Sequence, residues 1–340
     1  MKILIMLTKR HNEILRIEET LLHMGHEVEK IYVDHFQSCH NYFWKKIDEM
    51  GFSKPREKYE RSILEEASEK IAAGDVDKML CINFVFKPKE RDNVKKLLQK
   101  NKCSSYLWMV DPVIRDSKAE NIYDFFDKSY FYEYDDAKYV ADNYQVAAFY
   151  EPVGYNCAYK TDINRIPARD IVFVGMPYKK RMSMLDRLSV VCEAKGWSLD
   201  VYGPFCGEKR YFWQKYKRKY KYPALFRHVC NGEFSSEEIA KIYSQHKVCI
   251  NIHSDNANGM NPRCYEIMAT GSFLLMDKRQ YYGTFIPEKD FAVYSDFEDM
   301  VMQIEKYLGN DELRSRIADT GNAHIIQYSM ENILERMLGM

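Results

Sequence analysis

The sequence contains no apolar run long enough to span a bilayer, no Cys-x-x-Cys pair, no internal repeat, no low-complexity tract and no surplus of either charge. The first absence sets aside a helical membrane protein. The nine cysteines, an odd number scattered from Cys39 to Cys264, suggest neither a zinc knuckle nor a disulfide framework and read as reduced, mostly buried thiols. Fifty basic side chains balance fifty acidic ones, so no overall field draws the chain to nucleic acid, and any charged partner must be met locally. The opening segment Met1–Arg10 reads as a short strand without a leader-cleavage pattern, and the cytoplasm is the expected compartment.

What is present is a globular composition, 46% hydrophobic and 29% charged, over 340 residues, enough for two domains of similar mass. Strands are expected at Lys2–Leu7, Glu27–Val33, Lys78–Phe84, Ser105–Val110, Lys128–Glu133 and Val146–Tyr150. Between them lie helical patterns through Ile14, Leu15, Ile17, Leu21 and Leu22, at Lys58–Ala73 and at Lys89–Gln99. A second series of strands follows at Asp170–Val174, Ser198–Tyr202, Lys247–His253, Ser272–Met276 and Phe291–Tyr294. Ser235 with Glu238, and Ser295 with Glu298, have capping-box spacing, and Gly309-Asn310 suits a helix end. The expectation is α/β: two Rossmann-like domains facing a cleft, covering 1–155 and 156–328, with a linker near residues 152–168. A C-terminal helix within 329–340 is expected to cross back to the first domain.

The stretch from His253 to Gly271 carries the most chemistry: a strand, a polar glycine-containing loop, then a helix with Asn261 as N-cap and Pro262 as first helical residue. Free N–H groups at such a helix start attract phosphate, and Arg263 adds a full charge in the first turn. Glu266, one turn on, has a carboxylate suited to both hydroxyls of a ribose. The plainer alternative is a capped helix with an exposed Arg–Glu pair. A second element is Ile171–Arg181, where a strand ends at Gly175 and a helix opens among Lys179, Lys180 and Arg181, at the sheet edge where open α/β folds bind ligands. Arg181 is the preferred phosphate partner, and the lysines alone would be a solvated basic turn.

These residues resemble the CgeB-like, spore-maturation-type glycosyltransferases of the GT-B fold. The resemblance rests on Phe173-Val-Gly175 with Arg181, Val201-Tyr-Gly203, Ser236–Tyr243 leading to Ile250–His253, and Asn261–Gly271 with Asp277. It runs on to about Tyr328, and is looser in the first half, at Leu107–Asp111 and Glu151–Gly154. It implies a hexose-type transfer from a nucleotide diphosphate sugar, a UDP-sugar favoured, to a hydroxyl acceptor on a glycan, protein or lipid. It also implies that neither a metal nor a cofactor is needed and that configuration is retained. The donor would be held by Gly175, Lys180, Arg181, Tyr202, Gly203, the loop Asn258, Gly259, Met260 and Asn261, and then Arg263 and Glu266. Related retaining enzymes carry an acid eight positions before that Glu, where this chain has Asn258.

The acceptor would then lie against the first domain, whose strand ends offer two candidates. Asp111 before Pro112 would orient or deprotonate a hydroxyl, or merely start a turn. His11, just after the first strand, is the candidate base. With Arg181 and Arg263 they make the candidate catalytic set. Residues 209–222 interleave cations with aromatic rings, a composition suited to peripheral contact with an anionic membrane or to stacking against a polyanionic or saccharide chain. The plainer reading there is a helix whose rings make core contacts. Asp75-Val-Asp77 has the form of a metal-bound donor motif but precedes its strand, at the wrong edge. Two other readings stay open: a non-catalytic binding or assembly protein on the same scaffold, and a nucleotide-sugar epimerase.

Overall fold

The computed structural model describes residues 1–33, 54–73, 76–83, 96, 103–113, 123–160, 167–206, 212–253 and 258–340. The expected helix at Lys89–Gln99 falls, but for Lys96, outside them. Two compact units emerge, Met1–Val153 with Met330–Met340, and Gly154–Ser329.

In the first unit β1 (Lys2–Leu7), α1 (Lys9–Leu15), α2 (Ile17–His23), β2 (Glu27–Tyr32), α3 (Lys54–Ala73), β3 (Lys78–Ile82), β4 (Ser104–Met109), β5 (Lys128–Phe131), α4 (Tyr134–Tyr144) and β6 (Ala148–Tyr150) follow in turn. The strands form one parallel sheet in the order β2-β1-β3-β4-β5-β6. Successive side chains of a strand point to opposite faces, so a strand apolar at every position must be covered on both sides. β1 obeys this: Leu4 and Met6 enter one core, Ile3, Ile5 and Leu7 the other.

The second unit contains β7 (Arg169–Val174), α5 (Lys179–Lys195), β8 (Leu199–Gly203), α6 (Phe212–Lys221), β9 (Val229–Asn231), α7 (Ser236–Ser244), β10 (His246–Asn251), α8 (Pro262–Ala269), β11 (Leu274–Asp277), β12 (Ala292–Tyr294), α9 (Phe297–Leu308) and α10 (Asp311–Ile325). Its parallel sheet has the order β12-β11-β10-β7-β8-β9 and is likewise covered on both faces, Ile171 and Phe173 of β7 facing one core, Val172 and Val174 the other. The last helix, α11 (Met330–Leu338), belongs to the first unit. There it buries Met330, Ile333, Leu334 and Met337 against the β1 face, and its Arg336 pairs with Glu151 at 2.6 Å.

Some local expectations are corrected. The pattern from Ile14 to Leu22 is two helices, broken at Arg16, which takes a left-handed φ of 53° while its N–H closes on the Asn12 carbonyl. Ile14 and Leu22 are consequently exposed, and Leu15, Ile17 and Leu21 supply the core. The start of α9 is capped one residue later than expected, by Asp296 accepting from the Asp299 N–H, while Ser235 and Glu238 do form a reciprocal capping box on α7. β9, which alternation did not indicate, pairs along the outer edge of β8.

Where β7 and β8 end side by side, glycine is required. Gly203 has φ +144°, and a Cβ there would stand 2.2 Å from the Gly175 carbonyl oxygen. Gly203→Ala should therefore cost about 2 kcal/mol or more through backbone strain. Urea unfolding of the variant measures this, and an unchanged midpoint would contradict it.

Candidate functional site

In each sheet the chain turns back beside its first strand, leaving a crevice beyond the carboxyl ends of the two strands that flank the reversal. For the second unit those are β7 and β10. Gly175 continues β7, its N–H donating to the Tyr202 carbonyl at 3.0 Å. The helix α5 then opens with no side-chain cap on its first turn. Lys179 is exposed, Lys180 half-buried, and Arg181 buried at 8% exposure.

Arg181 donates from Nε to the Ile252 carbonyl at 2.6 Å, just past β10, and packs over the Tyr178 and Phe173 rings. Among the described residues no carboxylate forms an ion pair with it. Burial pushes this guanidinium below its ordinary pKa, and the charge of Arg263 adds to the effect. A desolvated cation held by a carbonyl and two rings is a seat for an anion.

The facing element is α8. Asn261 is its N-cap residue and Pro262 its first, but the Asn261 side chain accepts from Asn251 Nδ2 at 2.9 Å instead of capping the helix. Glycine and methionine of the preceding loop, Gly259 and Met260, are buried, while Asn258 is exposed and its carbonyl accepts from the N–H groups of Gln280 and Tyr281. Arg263 Nη1 donates to Glu266 Oε2 at 2.5 Å. The pair is not the exposed one of the plainer alternative: Glu266 is 8% exposed and the Arg263 side chain 32%. Burial opposes the charge of Arg263, but Glu266, with Tyr243 and Tyr159, holds it well above its ordinary value. Tyr159 in turn is pushed up by burial and by Glu266. Tyr202, at the end of β8, stacks edge-on against Phe234 and is pushed up to about 12, chiefly by burial.

A group the sequence did not single out for a role lies beneath these cations. His253 is fully buried, with Nδ1 at 2.7 Å from Asp277 Oδ1 and Nε2 accepting the Asn261 N–H at 3.2 Å. With Nε2 an acceptor, Nδ1 carries the proton and donates it to Asp277, which also pairs with Arg279. Burial, then the charges of Arg279, Arg181 and Lys180, drive its pKa well below 6.5. The ring stays neutral and ties the start of α8 to the ends of β10 and β11.

For a base with a depressed folded pKa, stability is fully present above the unfolded value and is lost as pH falls through it, because the unfolded chain takes up the proton first. Acidification below about pH 6.5 should thus cost up to about 1.4 kcal/mol per pH unit from this one group. Chemical unfolding across that range should show a shallower slope for His253→Asn. Identical slopes would mean that His253 is charged in the fold.

The first unit has its own reversal, between β1 and β3. There the structure brings together two residues that sequence reading had treated separately. His11 Nε2 lies 4.0 Å from Asp111 Oδ2, and Asn83, at the end of β3, joins them. Its Nδ2 donates to Asp111 at 2.7 Å and reaches His11 Nε2 at 3.4 Å, while its Oδ1 accepts the Val110 N–H at 2.8 Å. Thr8 Oγ1 holds His11 Nδ1 at 2.9 Å. Asn83 went unnoticed in the sequence; an asparagine closing an apolar strand, here with φ +51°, was the available signal.

Other expectations fall elsewhere. Asp75 lies outside the described residues, and Asp77 accepts from the Lys2 N–H at 2.8 Å before β3, away from the carboxyl edge. Lys209 and Arg210 also lie outside them. Three rings of α6 do not lie in the core as expected: Trp213, Tyr216 and Tyr220 are exposed, while Tyr222, just past the helix, is buried.

A family model described as glycosyl transferase-like matches residues 181–339, a little under half of the chain, which include Arg181, Arg263 and Glu266. Solved structures match over nearly the whole length. A glycosyltransferase from Rickettsia africae ESF-5 aligns with 99% of this chain and 97% of its own, at 13% identity and a TM-score of 0.68. Anabaena Alr3699/HepE in complex with UDP-glucose aligns with 100% of this chain and 98% of its own, at 11% identity and 0.68. This chain has a GT-B fold. A further GT-B relative in structure, the sucrose-phosphate synthase of Thermosynechococcus elongatus, aligns with 100% of this chain and 98% of its own, at 13% identity and 0.66. No curated protein sequence matches the chain.

Proposed function

We propose that the chain is a glycosyltransferase that takes a hexose from a nucleotide diphosphate donor, a UDP-sugar favoured, and passes it to a hydroxyl acceptor. The observation that carries this is Arg181, a buried guanidinium without a carboxylate partner among the described residues, at the reversal of the second sheet and beside two helix starts that no side chain caps. The family model over residues 181–339 and the UDP-glucose held by Anabaena HepE support the same reading.

The leaving diphosphate gains charge as the glycosidic bond breaks. Arg181, Lys180 and Arg263, with the N–H groups opening α5 and α8, would meet that charge from fixed positions, so that no reorganisation is needed at the moment of reaction and no metal is called for. Glu266 would accept ribose hydroxyls while it orients Arg263. In the first unit His11 would take the acceptor proton, with Asp111 and Asn83 holding its Nε2 side. Nucleotide release from a panel of nucleotide sugars tests the activity: release, accelerated by an acceptor, supports it. Asn258, standing where related retaining enzymes carry an acid, favours the second reading, a donor-binding protein that does not transfer, and binding without release would select that one.

Asp111→Asn separates the two roles. It should leave nucleotide affinity unchanged and lower transfer about tenfold to a hundredfold, less than the roughly 10²- to 10⁴-fold worth of a base itself, because Asp111 acts through His11. Calorimetry and a transfer assay on the same preparation check this, and unchanged transfer would reduce Asp111 to a turn residue.

A further inference from the structure

The helix α6, Phe212–Lys221, carries the rings of Trp213, Tyr216 and Tyr220 on the wrong side for a globular protein. At about 100° per residue, Trp213, Tyr216 and Tyr220 fall within an arc of roughly 60°. That arc faces solvent: the three are 74%, 58% and 91% exposed. Arg218, nearly opposite, turns inward and donates to the Phe205 carbonyl at 2.9 Å. A soluble helix buries its apolar stripe and leaves its cations in water. Here the cations are in water but the ring stripe is too, with Lys217 and Lys219 flanking it, Lys215 and Lys221 also exposed, and no acid anywhere from Phe212 to Lys221.

From this disposition we infer that α6 is a docking face for an anionic lipid bilayer. Rings with an apolar body and a polar tip settle at the headgroup boundary, and lysines on both sides of the stripe remain at the level of the lipid phosphates with their stems laid along it. Charge complementarity is local, since the chain as a whole is neutral and gains no long-range attraction to a polyanion. A nucleic acid strand is the less fitting occupant. Stacking bases needs open ring faces along a groove whose cations follow the phosphates, whereas this stripe is convex and its cations lie to either side. The inference stands apart from the donor site, which uses none of these side chains.

The test uses the full chain in vesicle flotation, with phosphatidylcholine alone and with phosphatidylglycerol added. Partitioning should need the anionic lipid, should fall as salt is raised, and should bring a blue shift of fluorescence that Trp213→Phe removes. The triple variant Trp213→Ala, Tyr216→Ala, Tyr220→Ala should partition about tenfold less or weaker. Its nucleotide affinity should match that of the wild type, which shows that it is folded. Equal binding to neutral vesicles, no binding to either, or unchanged binding by the triple variant would overturn the inference. So would a single-stranded oligonucleotide that outcompetes the anionic vesicles at these residues.

Discussion

Arg181→Ala should lower turnover of the nucleotide-sugar donor by about 10²- to 10³-fold, or about 2.7–4 kcal/mol of transition-state stabilisation. The size follows from burial. An exposed arginine beside a phosphate is screened by water, but Arg181 is 8% exposed and fixed by the Ile252 carbonyl and by the Tyr178 ring. Its fork is therefore already oriented when charge develops on the leaving group. The fold should survive, because what is lost is two hydrogen bonds to carbonyls, that of Ile252 at 2.6 Å and a long one to Met176 at 3.4 Å, and some ring contact, about 1–3 kcal/mol. Arg181→Lys should recover part of the rate, since it returns the charge without the planar fork. Steady-state kinetics on variants shown to be folded by circular dichroism check this. An alanine variant that turns over like the wild type would put the phosphate site elsewhere.

The second large effect is expected at Glu266, and it is one of selectivity. If its carboxylate receives the ribose hydroxyls, the wild type should bind UDP about tenfold more tightly than 2′-deoxy-UDP, and Glu266→Gln should bind both about equally. Glutamine is the informative replacement. Glu266→Ala would also strand Arg263, whose Nη1 donates to Glu266 at 2.5 Å, and should cost about 1–3 kcal/mol of stability, less than a fully buried pair because Arg263 retains some exposure. Competition binding of the two nucleotides provides the measurement. A preference for UDP over 2′-deoxy-UDP unchanged in Glu266→Gln would remove Glu266 from the sugar and leave it as a support for Arg263.

How much of this could be read beforehand differs from residue to residue. The strands were legible because β1 and β7 are apolar at successive positions, and only burial on both faces of a parallel sheet explains that. The break at Arg16 was not, since nothing marks an arginine for left-handed backbone; the Asn12 side chain that accepts from the Glu18 N–H helps to fix the turn. Arg181, Arg263 and Glu266 stood out by their spacing from helix starts. The His253–Asp277 contact did not, because its partners sit 24 residues apart and meet only once β10 and β11 lie in register. The same holds for His11 and Asp111, joined through Asn83 from a third strand. For α6 the composition was plain, but the direction its rings face depends on Arg218 turning inward, which no periodicity announces.

The central claim is that the second unit grips a nucleotide by its diphosphate. Calorimetric titration of the wild-type chain with UDP and with uridine tests this most directly, because the two differ only in the group that Arg181, Lys180, Arg263 and the starts of α5 and α8 would hold. UDP should bind at least about a hundredfold more tightly than uridine, with a preference that shrinks as salt is raised. Equal affinity for the two, or no binding of UDP, would contradict the account.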